Sequence, residues 1–553
     1  MRIACFLATA VCLMELGALG ADAAAPPKVG LSAEALAKVG DVIFAADFSG
    51  TDALAGWTRA GNAKIDTSAP GGHAVMIECT PEMPSRGANI QRPLPVERLR
   101  GCKLIFSARV KAENVSAKPN PWNGIKFMAP IVAPGGKQWH QGEIGTGTFD
   151  WRPVAWQAAV PADATEVSLV LGLEQVTGKV WFEDVKVVVR RPPVVAQPRA
   201  SEGPPYKGHN LPRLRGAMIS PNIDEDGLRT FGRDWNANLI RWQLIHTRGG
   251  LPVTTLAEYD AWLENELKKL DAALPLCEKY GLYVVVDIHS PPGGKPTTSG
   301  YVGSDDRFFS DKACQDKFIE VWQKMARRYR GAKAVWGYDL ANEPVENTFG
   351  EGCDDWQALA ERAAKAIREI DPERAIIVEP AAWGGPGGLD ELQPINVPNV
   401  VYSVHMYIPH AFTHQGVFDD GKKQYVYPGT IEGKRWDRAA LEAALKPAVD
   451  FQKKYGVHIY IGEFSAIRWA PDQSACRYLK DVIDIFESHG WDWSYHAFRE
   501  WDGWSVEHGS DRASRARAAE PTDREKLLRE WFAKNQKPAW SLPAAPPQGK
   551  DSK

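Results

Sequence analysis

The chain has 553 residues, a length that accommodates two or three domains. Its 66 basic and 69 acidic residues give a net charge of −3, which excludes the basic surface expected of a nucleic-acid-binding protein. Tryptophan is abundant, with 21 residues. Such an excess is consistent with large cores and also with sugar binding, because indole faces stack on the apolar faces of pyranose rings.

Residues 1–23 have the features of a secretory signal peptide. Arg2 provides a short basic region, an apolar run interrupted by Glu15 follows, and residues 21–23 form a small-x-small cleavage site. The run is short for a membrane anchor, and the sequence has no other membrane-spanning candidate. We therefore expect a secreted or periplasmic protein, a monomer without membrane association once the signal is removed.

Six cysteines follow the signal: Cys79, Cys102, Cys277, Cys314, Cys353 and Cys476. None belongs to a C-x-x-C pair, so no zinc site is expected, and the sequence indicates neither a metal nor a cofactor. Export permits disulfides. Cys277 is expected to be a buried free thiol, because it falls on the apolar stripe of a predicted helix.

Residues 28–190 are rich in strand patterns separated by Gly, Pro and Asn turns. Strands are predicted over 41–48, 103–110, 165–171 and 180–188. We predict a β-sandwich of jelly-roll type, and its final segment, Gly178–Val187, resembles the last strand of carbohydrate-binding-module sandwiches. Trp122, Trp139 and Trp151 are candidates for a sugar platform, although each is equally compatible with a core.

Residues 191–212 are rich in proline and poor in apolar residues, which predicts a linker. From residue 213 the pattern changes to alternating strands and helices, as in a parallel sheet. Eight strands are predicted, over 215–220, 237–242, 282–289, 335–340, 374–379, 399–405, 457–463 and 491–498. Eight such units predict a (β/α)8 TIM barrel over 213–538, and the Pro-, Ala- and Lys-rich tail 539–553 is expected to be disordered.

Two of the predicted barrel strands end in a glutamate. The strand 335–340 leads to Glu343, and Pro344 ends the extended segment because it has no N–H to give a sheet. A second apolar strand ends at Glu463. Parallel barrels carry their catalytic groups at the carboxyl ends of the strands, and a pair of carboxylates is what glycoside hydrolysis requires.

Further polar residues fall at or near strand ends, namely Arg241, His289, Asn342, His405 and Tyr407. Singly, each has an ordinary structural explanation, such as an ion pair for Arg241 or a core histidine for His289. Together at one barrel mouth they are hard to explain by packing. Glu379 is a third strand-end carboxylate, which we interpret as a supporting residue rather than a reacting one.

The region from about 213 to 535 resembles glycoside hydrolase family 5, the cellulase-like family of retaining β-glycosidases. The resemblance rests on Ile240-Arg241, Asp287-Ile-His289, Asn342-Glu343-Pro344, His405-Met-Tyr407 and Gly462-Glu463-Phe464. It implies that Glu343 is the acid/base and Glu463 the nucleophile. A neighbouring negative Glu463 would help Glu343 to hold its proton near neutral pH.

The resemblance also implies the substrate-binding residues. Asn342 is expected to hold the 2-hydroxyl of the sugar, and Arg241 and Tyr407 to position the nucleophile. His289 and His405 are expected to line the subsite of the cleaved sugar.

One departure from the family concerns the end of the eighth barrel strand, where the family usually places a tryptophan as a sugar platform. This sequence has His496 or Phe498 there, with Trp501 and Trp504 just beyond. Trp501 is the candidate platform. The departure bears on the predicted substrate and not on the predicted carboxylate pair.

The sequence thus predicts a secreted retaining β-glycosidase that cleaves a β-glucan-type polysaccharide, preceded by a module that binds polysaccharide or supports the barrel. The module is expected to take no part in bond cleavage. A β-mannanase, another β-glycanase or a glycosidase of small glycosides remain alternatives.

Two alternatives belong to other classes of protein. A non-catalytic polysaccharide-binding protein is disfavoured because both Glu343 and Glu463 are present. A metal-dependent barrel hydrolase using Asp287 and His289 is disfavoured because the first barrel strand has no His-x-His.

Overall fold

The computed structural model describes residues 37–58, 62–83, 88–194, 203–246, 255–294, 307–346, 348–350, 352–418 and 421–541. The predicted signal peptide lies outside these residues, as does the predicted tail from residue 542. Within the described part of the chain, no helix combines the length and the apolarity that a membrane span requires.

The strands are β1 (Val42–Ala46), β2 (Ala63–Asp66), β3 (Ala74–Cys79), β4 (Asn89–Pro93), β5 (Lys103–Val115), β6 (Gly124–Ala133), β7 (Gly136–Gln141), β8 (Gly147–Ala159), β9 (Glu166–Glu174), β10 (Gly178–Arg191), β11 (Arg215–Ile219), β12 (Leu239–Gln243), β13 (Tyr283–Asp287), β14 (Val335–Asp339), β15 (Ala375–Val378), β16 (Val400–Met406), β17 (Gly429–Ile431), β18 (Lys434–Trp436), β19 (Ile459–Phe464) and β20 (Asp492–Phe498). The α-helices are α1 (Val96–Leu99), α2 (Glu225–Arg229), α3 (Leu256–Tyr280), α4 (Lys312–Tyr329), α5 (Trp356–Arg368), α6 (His410–Thr413), α7 (Arg438–Tyr455), α8 (Ser474–His489) and α9 (Asp523–Phe532).

The first ten strands form two antiparallel sheets. One sheet has the order β2-β3-β10-β5-β8, with β1 also paired to β10, and the other has the order β4-β9-β6-β7. Because successive side chains of a strand point to opposite faces, both sheets contribute to one apolar cluster that includes Phe106, Phe127 and Phe182. Trp156 belongs to this cluster and stacks on Phe106 with ring centroids 4.1 Å apart.

The remaining strands, apart from the hairpin β17–β18, close into a parallel barrel in the order β11-β12-β13-β14-β15-β16-β19-β20. This confirms the predicted eight-stranded barrel. Its strands are buried on both faces, which explains their nearly continuous apolar sequences.

The ends of helix α3 follow from local sequence. Thr255 and Glu258 form a capping box at its start, and Gly281, with φ 67°, ends it.

The structure corrects the boundaries of the predicted linker, 191–212. Residue 191 ends β10, and residues 203–212 pack against the barrel floor. The hydroxyl of Tyr206 donates to the carbonyl of Glu373 over 2.6 Å, and Nε2 of His209 lies 2.7 Å from Oδ2 of Asp492. Proline content alone does not distinguish a free linker from a segment that packs on a domain, as residues 203–212 do.

Candidate active site

The two predicted catalytic glutamates meet at the carboxyl end of the barrel. Glu463 lies in β19, and Glu343 follows β14. One carboxylate oxygen of each lies within 4.8 Å of the other and of a ring nitrogen of His405. The Glu463 carboxylate is buried, whereas the Glu343 side chain is 19% exposed. The site thus holds two carboxylates in different environments.

Glu463 is surrounded by hydrogen-bond donors and cations. Nη1 of Arg241 donates to Oε1 over 2.6 Å, the Tyr407 hydroxyl donates to Oε2 over 2.9 Å, and Nδ1 of His496 lies 3.2 Å from Oε2. Burial alone would raise the pKa of Glu463, but the charges of His405, His496 and Arg241 outweigh it and hold the pKa well below its usual value. Glu463 is therefore ionised.

Glu343 is held through both its side chain and its backbone. Oε1 lies 2.9 Å from Nδ1 of His405, and the backbone N–H donates to Oε2 of Glu379 over 2.8 Å. Glu343 has φ 44°, in the left-handed region that residues with a side chain rarely adopt. Glu379 therefore supports the strained backbone of Glu343 through this hydrogen bond.

His405 connects the three glutamates. Burial would lower its pKa, but the carboxylates of Glu379 and Glu463, together with the hydrogen bond to Glu343, raise the pKa well above its usual value. The imidazole is therefore a cation at neutral pH. It lies between the two candidate catalytic groups and the residue that supports one of them.

Asn342 and His289 form a second hydrogen-bonded chain. Nδ1 of His289 lies 2.8 Å from Oδ2 of Asp287, and Nε2 lies 3.2 Å from Nδ2 of Asn342. With Nδ1 donating to the Asp287 carboxylate, Nε2 is left as the acceptor for the Asn342 amide. Oδ1 of Asn342 accepts from Arg241 over 3.2 Å. The structure thus brings Arg241, His289 and Asn342 together, as predicted.

The sequence analysis missed Asp339, the last residue of β14. It is fully buried, and Nε of Arg241 donates to its Oδ2 over 3.0 Å. Burial raises the pKa of Asp339 well above its usual value, and Glu379 and Asp287 add to this effect against the opposing charge of Arg241. The signal that could have revealed it is an acidic residue inside an otherwise apolar barrel strand.

The end of β20 carries a histidine on the site side. His496 faces Glu463, while Phe498 stacks on Phe231 in the outer layer, with ring centroids 4.5 Å apart. Nε2 of His496 lies 2.8 Å from Oε2 of Glu500, a residue that the sequence analysis also missed. Burial would lower the pKa of His496, but Glu500 and Glu463 raise it to about 10.

Trp501 lies beyond β20 and is 36% exposed. It packs edge-on against Trp504, with ring centroids 5.5 Å apart. Trp504 in turn lies 6.0 Å from the ring of Tyr407 and 5.8 Å from that of His496. The indole nearer the nucleophile is therefore Trp504, and Trp501 as a sugar platform remains a prediction.

Two groups in the described part of the chain have a spacing that could hold a metal ion: Glu343, His405 and Glu463 in the site, and His209, His458 and Asp492 at the opposite end of the barrel. In the second group both histidines lie within 2.7 Å of the same Asp492 oxygen, as hydrogen-bond donors do. Asp287 and His289, the pair considered for a metal-dependent hydrolase, belong to neither group.

A parallel eight-stranded barrel with two close carboxylates at its mouth defines a class of glycoside hydrolases. The chain belongs to glycosyl hydrolase family 5, the cellulase family, whose sequence pattern matches residues 202–501. It is therefore a glycoside hydrolase, and the predicted family is confirmed.

The chain is also similar to individual proteins and solved structures. The chain is 29% identical over 262 residues to endoglucanase C of Acetivibrio thermocellus, which covers 42% of this chain and 73% of that protein. It is 27% identical over 297 residues to cellodextrinase A of Ruminococcus flavefaciens, with coverage of 51% and 82%. Among solved structures, endoglucanase Cel5A of Thermotoga maritima has 24% identity and a TM-score of 0.43, covering 57% of this chain and 96% of that one.

The His496 cation predicts a specific pH dependence. If Glu463 is the nucleophile, as predicted, it has to be ionised, so activity should be lost as the pH falls through its depressed pKa. His496→Gln removes one nearby cation and should raise that pKa. The acid limb of the kcat/KM profile should move to higher pH by about one unit.

His414→Gln is the matched control for this experiment. Burial lowers the pKa of His414 well below its usual value, so its replacement removes no charge at neutral pH. The acid limb of the kcat/KM profile of His414→Gln should remain at the wild-type position. An acid limb that does not move in His496→Gln would contradict the electrostatic role of His496.

Proposed function

We propose that this protein is an exported endoglucanase-like enzyme that hydrolyses the β-linked bonds of a β-glucan-type polysaccharide with retention of configuration. The observation that carries the proposal is the close approach of the Glu343 and Glu463 carboxylate oxygens, within 4.8 Å. Retaining enzymes have carboxyl groups about 5–5.5 Å apart, whereas inverting enzymes need about 6.5–9.5 Å to admit a water molecule.

The environments of the two glutamates support a division of roles. Glu463 is buried and ionised among donors, which suits a nucleophile that attacks the anomeric carbon. Glu343 is more exposed, which suits a residue that first protonates the leaving oxygen and then removes a proton from the incoming water. Water then releases the sugar from Glu463, and the two displacements together restore the original configuration.

The substrate is proposed from the named relatives and from the chemistry of the site. Two of them are an endoglucanase and a cellodextrinase, which supports a β-glucan over a mannan or another β-glycan. Asn342 is positioned to bind a sugar hydroxyl, since Arg241 and His289 fix its amide. No cofactor is required by the proposed mechanism.

Export is proposed from the signal-like segment 1–23 and from the size of the substrate. A polysaccharide does not diffuse through a membrane, so an enzyme that cleaves an external polysaccharide has to act in the periplasm or outside the cell. We propose that it acts there as a monomer.

The two N-terminal sheets are proposed to be a jelly-roll module resembling carbohydrate-binding modules. A groove of about 430 Å³ lies on the outer face of the sheet β4-β9-β6-β7. Trp139, which is 58% exposed, lines this groove over a floor that includes Met128 and Val170. An ion pair between the nearly buried Lys126 and the partly exposed Glu174, at 2.7 Å, offers polar groups of balanced charge. These features suit one face of a neutral glycan chain.

Of the three tryptophans considered for a platform, Trp139 alone lines this groove. Trp151 belongs to β8 in the other sheet. Trp122 is exposed just before β6 and its carbonyl accepts from Gln141 of β7. The proposal therefore rests on Trp139 alone.

The hydrolase proposal predicts that the wild-type protein releases reducing ends from β-1,4-glucan and that Glu463→Ala does not. Azide should restore cleavage of an activated aryl β-cellobioside by Glu463→Ala, because it replaces the missing nucleophile and gives an α-glycosyl azide. Glu343→Ala should instead give a β-glycosyl azide. Circular dichroism checks that both variants fold, and normal turnover by either would rule out its assigned role.

The module proposal predicts that Trp139→Ala weakens retention on insoluble β-glucan by about tenfold, since one stacking partner is lost. Hydrolysis of a small soluble substrate should be unchanged. Trp151→Ala, on the other sheet, is the matched control and should bind like the wild type. Equal binding by both variants would remove the groove as the glycan site.

A further inference from the structure

The segment that follows the acid/base residue forms neither helix nor strand in its described residues. This segment, residues 343–355, is called the acid/base loop here. It connects β14 to α5, and its last residue, Asp355, caps α5 by accepting the N–H of Ala358 over 3.0 Å. Glu343, at its start, has the left-handed backbone described above. Because the described residues of this loop form no helix or strand, contacts with other parts of the chain must fix its conformation.

The N-terminal sheets provide several of these contacts, and three of them converge on Glu346. Nζ of Lys103 lies 2.8 Å from Oε1 of Glu346, and Nε2 of Gln157 donates to the Glu346 carbonyl over 2.9 Å. Nη1 of Arg190 lies 3.2 Å from Oε2 of Glu346 as an ion pair, while the same atom donates its hydrogen bond to Gln157. Glu346 is three residues beyond the proposed acid/base.

A second set of contacts holds the far end of the loop. Nε of Arg191 donates to Oδ2 of Asp355 over 2.5 Å. Nη2 of Arg190 donates to the carbonyl of Asp354 over 3.3 Å, and its guanidinium lies 5.5 Å from the ring of Phe349. The module therefore contacts the acid/base loop at Glu346, at Phe349 and at its last two residues.

The residues that make these contacts are held rigidly by the sheet. Lys103 and Arg191 are directly paired across β5 and β10, and Gln157 lies on β8, the strand that pairs with β5 on its other side. Side chains on adjacent paired strands have fixed relative positions. The loop is therefore docked on one end of a three-stranded surface rather than on a flexible tether.

Because the charged groups of this contact are buried, removing one partner of an ion pair is costly. The side chains of Glu346 and Asp355 are 7% and 2% exposed, and that of Arg190 is 2% exposed. A buried carboxylate that loses its cation is unfavourable, and without the cations Glu346 and Asp355 would keep only the backbone N–H groups of Trp356 and Ala358 as partners among the described residues. Loss of one of these cations, with the rest of the module in place, should therefore favour a displaced loop in which the carboxylate reaches water.

We propose that the N-terminal module is a positioning part of the catalytic machinery, which holds the acid/base loop through Glu346 and Asp355 and thereby keeps Glu343 beside the leaving-group oxygen. The inference rests on the acid/base role proposed for Glu343. It goes beyond a binding module, because it makes the module necessary for proton transfer to the leaving group. Lys103, Gln157, Arg190 and Arg191 are positioning residues in this account.

A comparison of two leaving groups separates this role from general stability. Phenyl β-cellobioside needs protonation of its leaving oxygen, whereas 2,4-dinitrophenyl β-cellobioside does not. In Lys103→Met and Glu346→Gln, kcat/KM for the phenyl substrate should fall by about tenfold to a hundredfold, as expected for a slightly misplaced general acid. The value for the dinitrophenyl substrate should stay within about twofold of the wild type, because kcat/KM reports the first displacement.

Two variants serve as controls in the full-length protein. Arg109→Met removes a cation from the same strand β5, but its partner is Glu183 inside the module, so both substrates should be cleaved at wild-type rates. Lys103→Arg keeps the charge beside Glu346 and should restore most of the activity on the phenyl substrate.

Three outcomes would overturn the proposal. These are equal losses of kcat/KM on both substrates, no loss on either, or a loss in Lys103→Met that Lys103→Arg fails to reverse. If the wild type cleaves neither substrate, the proposed function fails first and the positioning role fails with it. If the wild type cleaves both substrates, the dependence of kcat/KM on the leaving group tests the positioning role separately from the proposed function.

Discussion

The site depends on one buried cation beneath it. The guanidinium of Arg241 is fully buried and contacts Asp339, Glu379 and Glu463, and it also lies 3.1 Å from Asp287. Four carboxyl groups gathered inside a barrel would repel one another and would lose their hydration. A delocalised cation with donors in a fixed fork can oppose several of them at once. The convergence of acidic residues at this barrel mouth is possible because Arg241 lies at their centre.

The same network gives the carboxyl groups different properties. The pKa of Asp339 is raised by burial, while that of Glu463 is held low by the cations around it. Glu379 remains a hydrogen-bond acceptor for the strained backbone of Glu343. Separate roles for chemically similar groups thus arise from their surroundings. His496 and Glu500 are a further example. They lie at or just after the end of β20, where the family usually has a tryptophan, and Glu500 helps to raise the pKa of His496.

Much of the barrel could be predicted from the sequence, because parallel strands buried on both faces are apolar runs with abrupt ends. The candidate site was predicted from residues at or just after those ends, since all carboxyl ends of a parallel barrel meet at one face. Asp339 and Glu500 were missed for different reasons. The first looked like part of a strand, and the second lies in a loop whose path follows from tertiary packing.

No local sequence pattern predicted the contact between the module and the barrel. Lys103 and Glu346 are 243 residues apart, and neither stands in a motif. Proline content indicated a linker and, with it, two separate domains, whereas the structure packs residues 203–212 on the barrel floor and the module on the acid/base loop. Ion pairs between distant parts of a chain depend on how the domains dock, which strand and helix patterns do not encode.

The most direct test of this account is the configuration of the first product. Proton NMR of the anomeric signals during early hydrolysis of a soluble β-glucan oligosaccharide distinguishes the two anomers before mutarotation mixes them. Two displacements through Glu463 predict that the β-anomer forms first. Initial formation of the α-anomer would mean a single displacement by water, with carboxyl groups separated by about 6.5–9.5 Å, and would contradict the role of Glu463 as nucleophile.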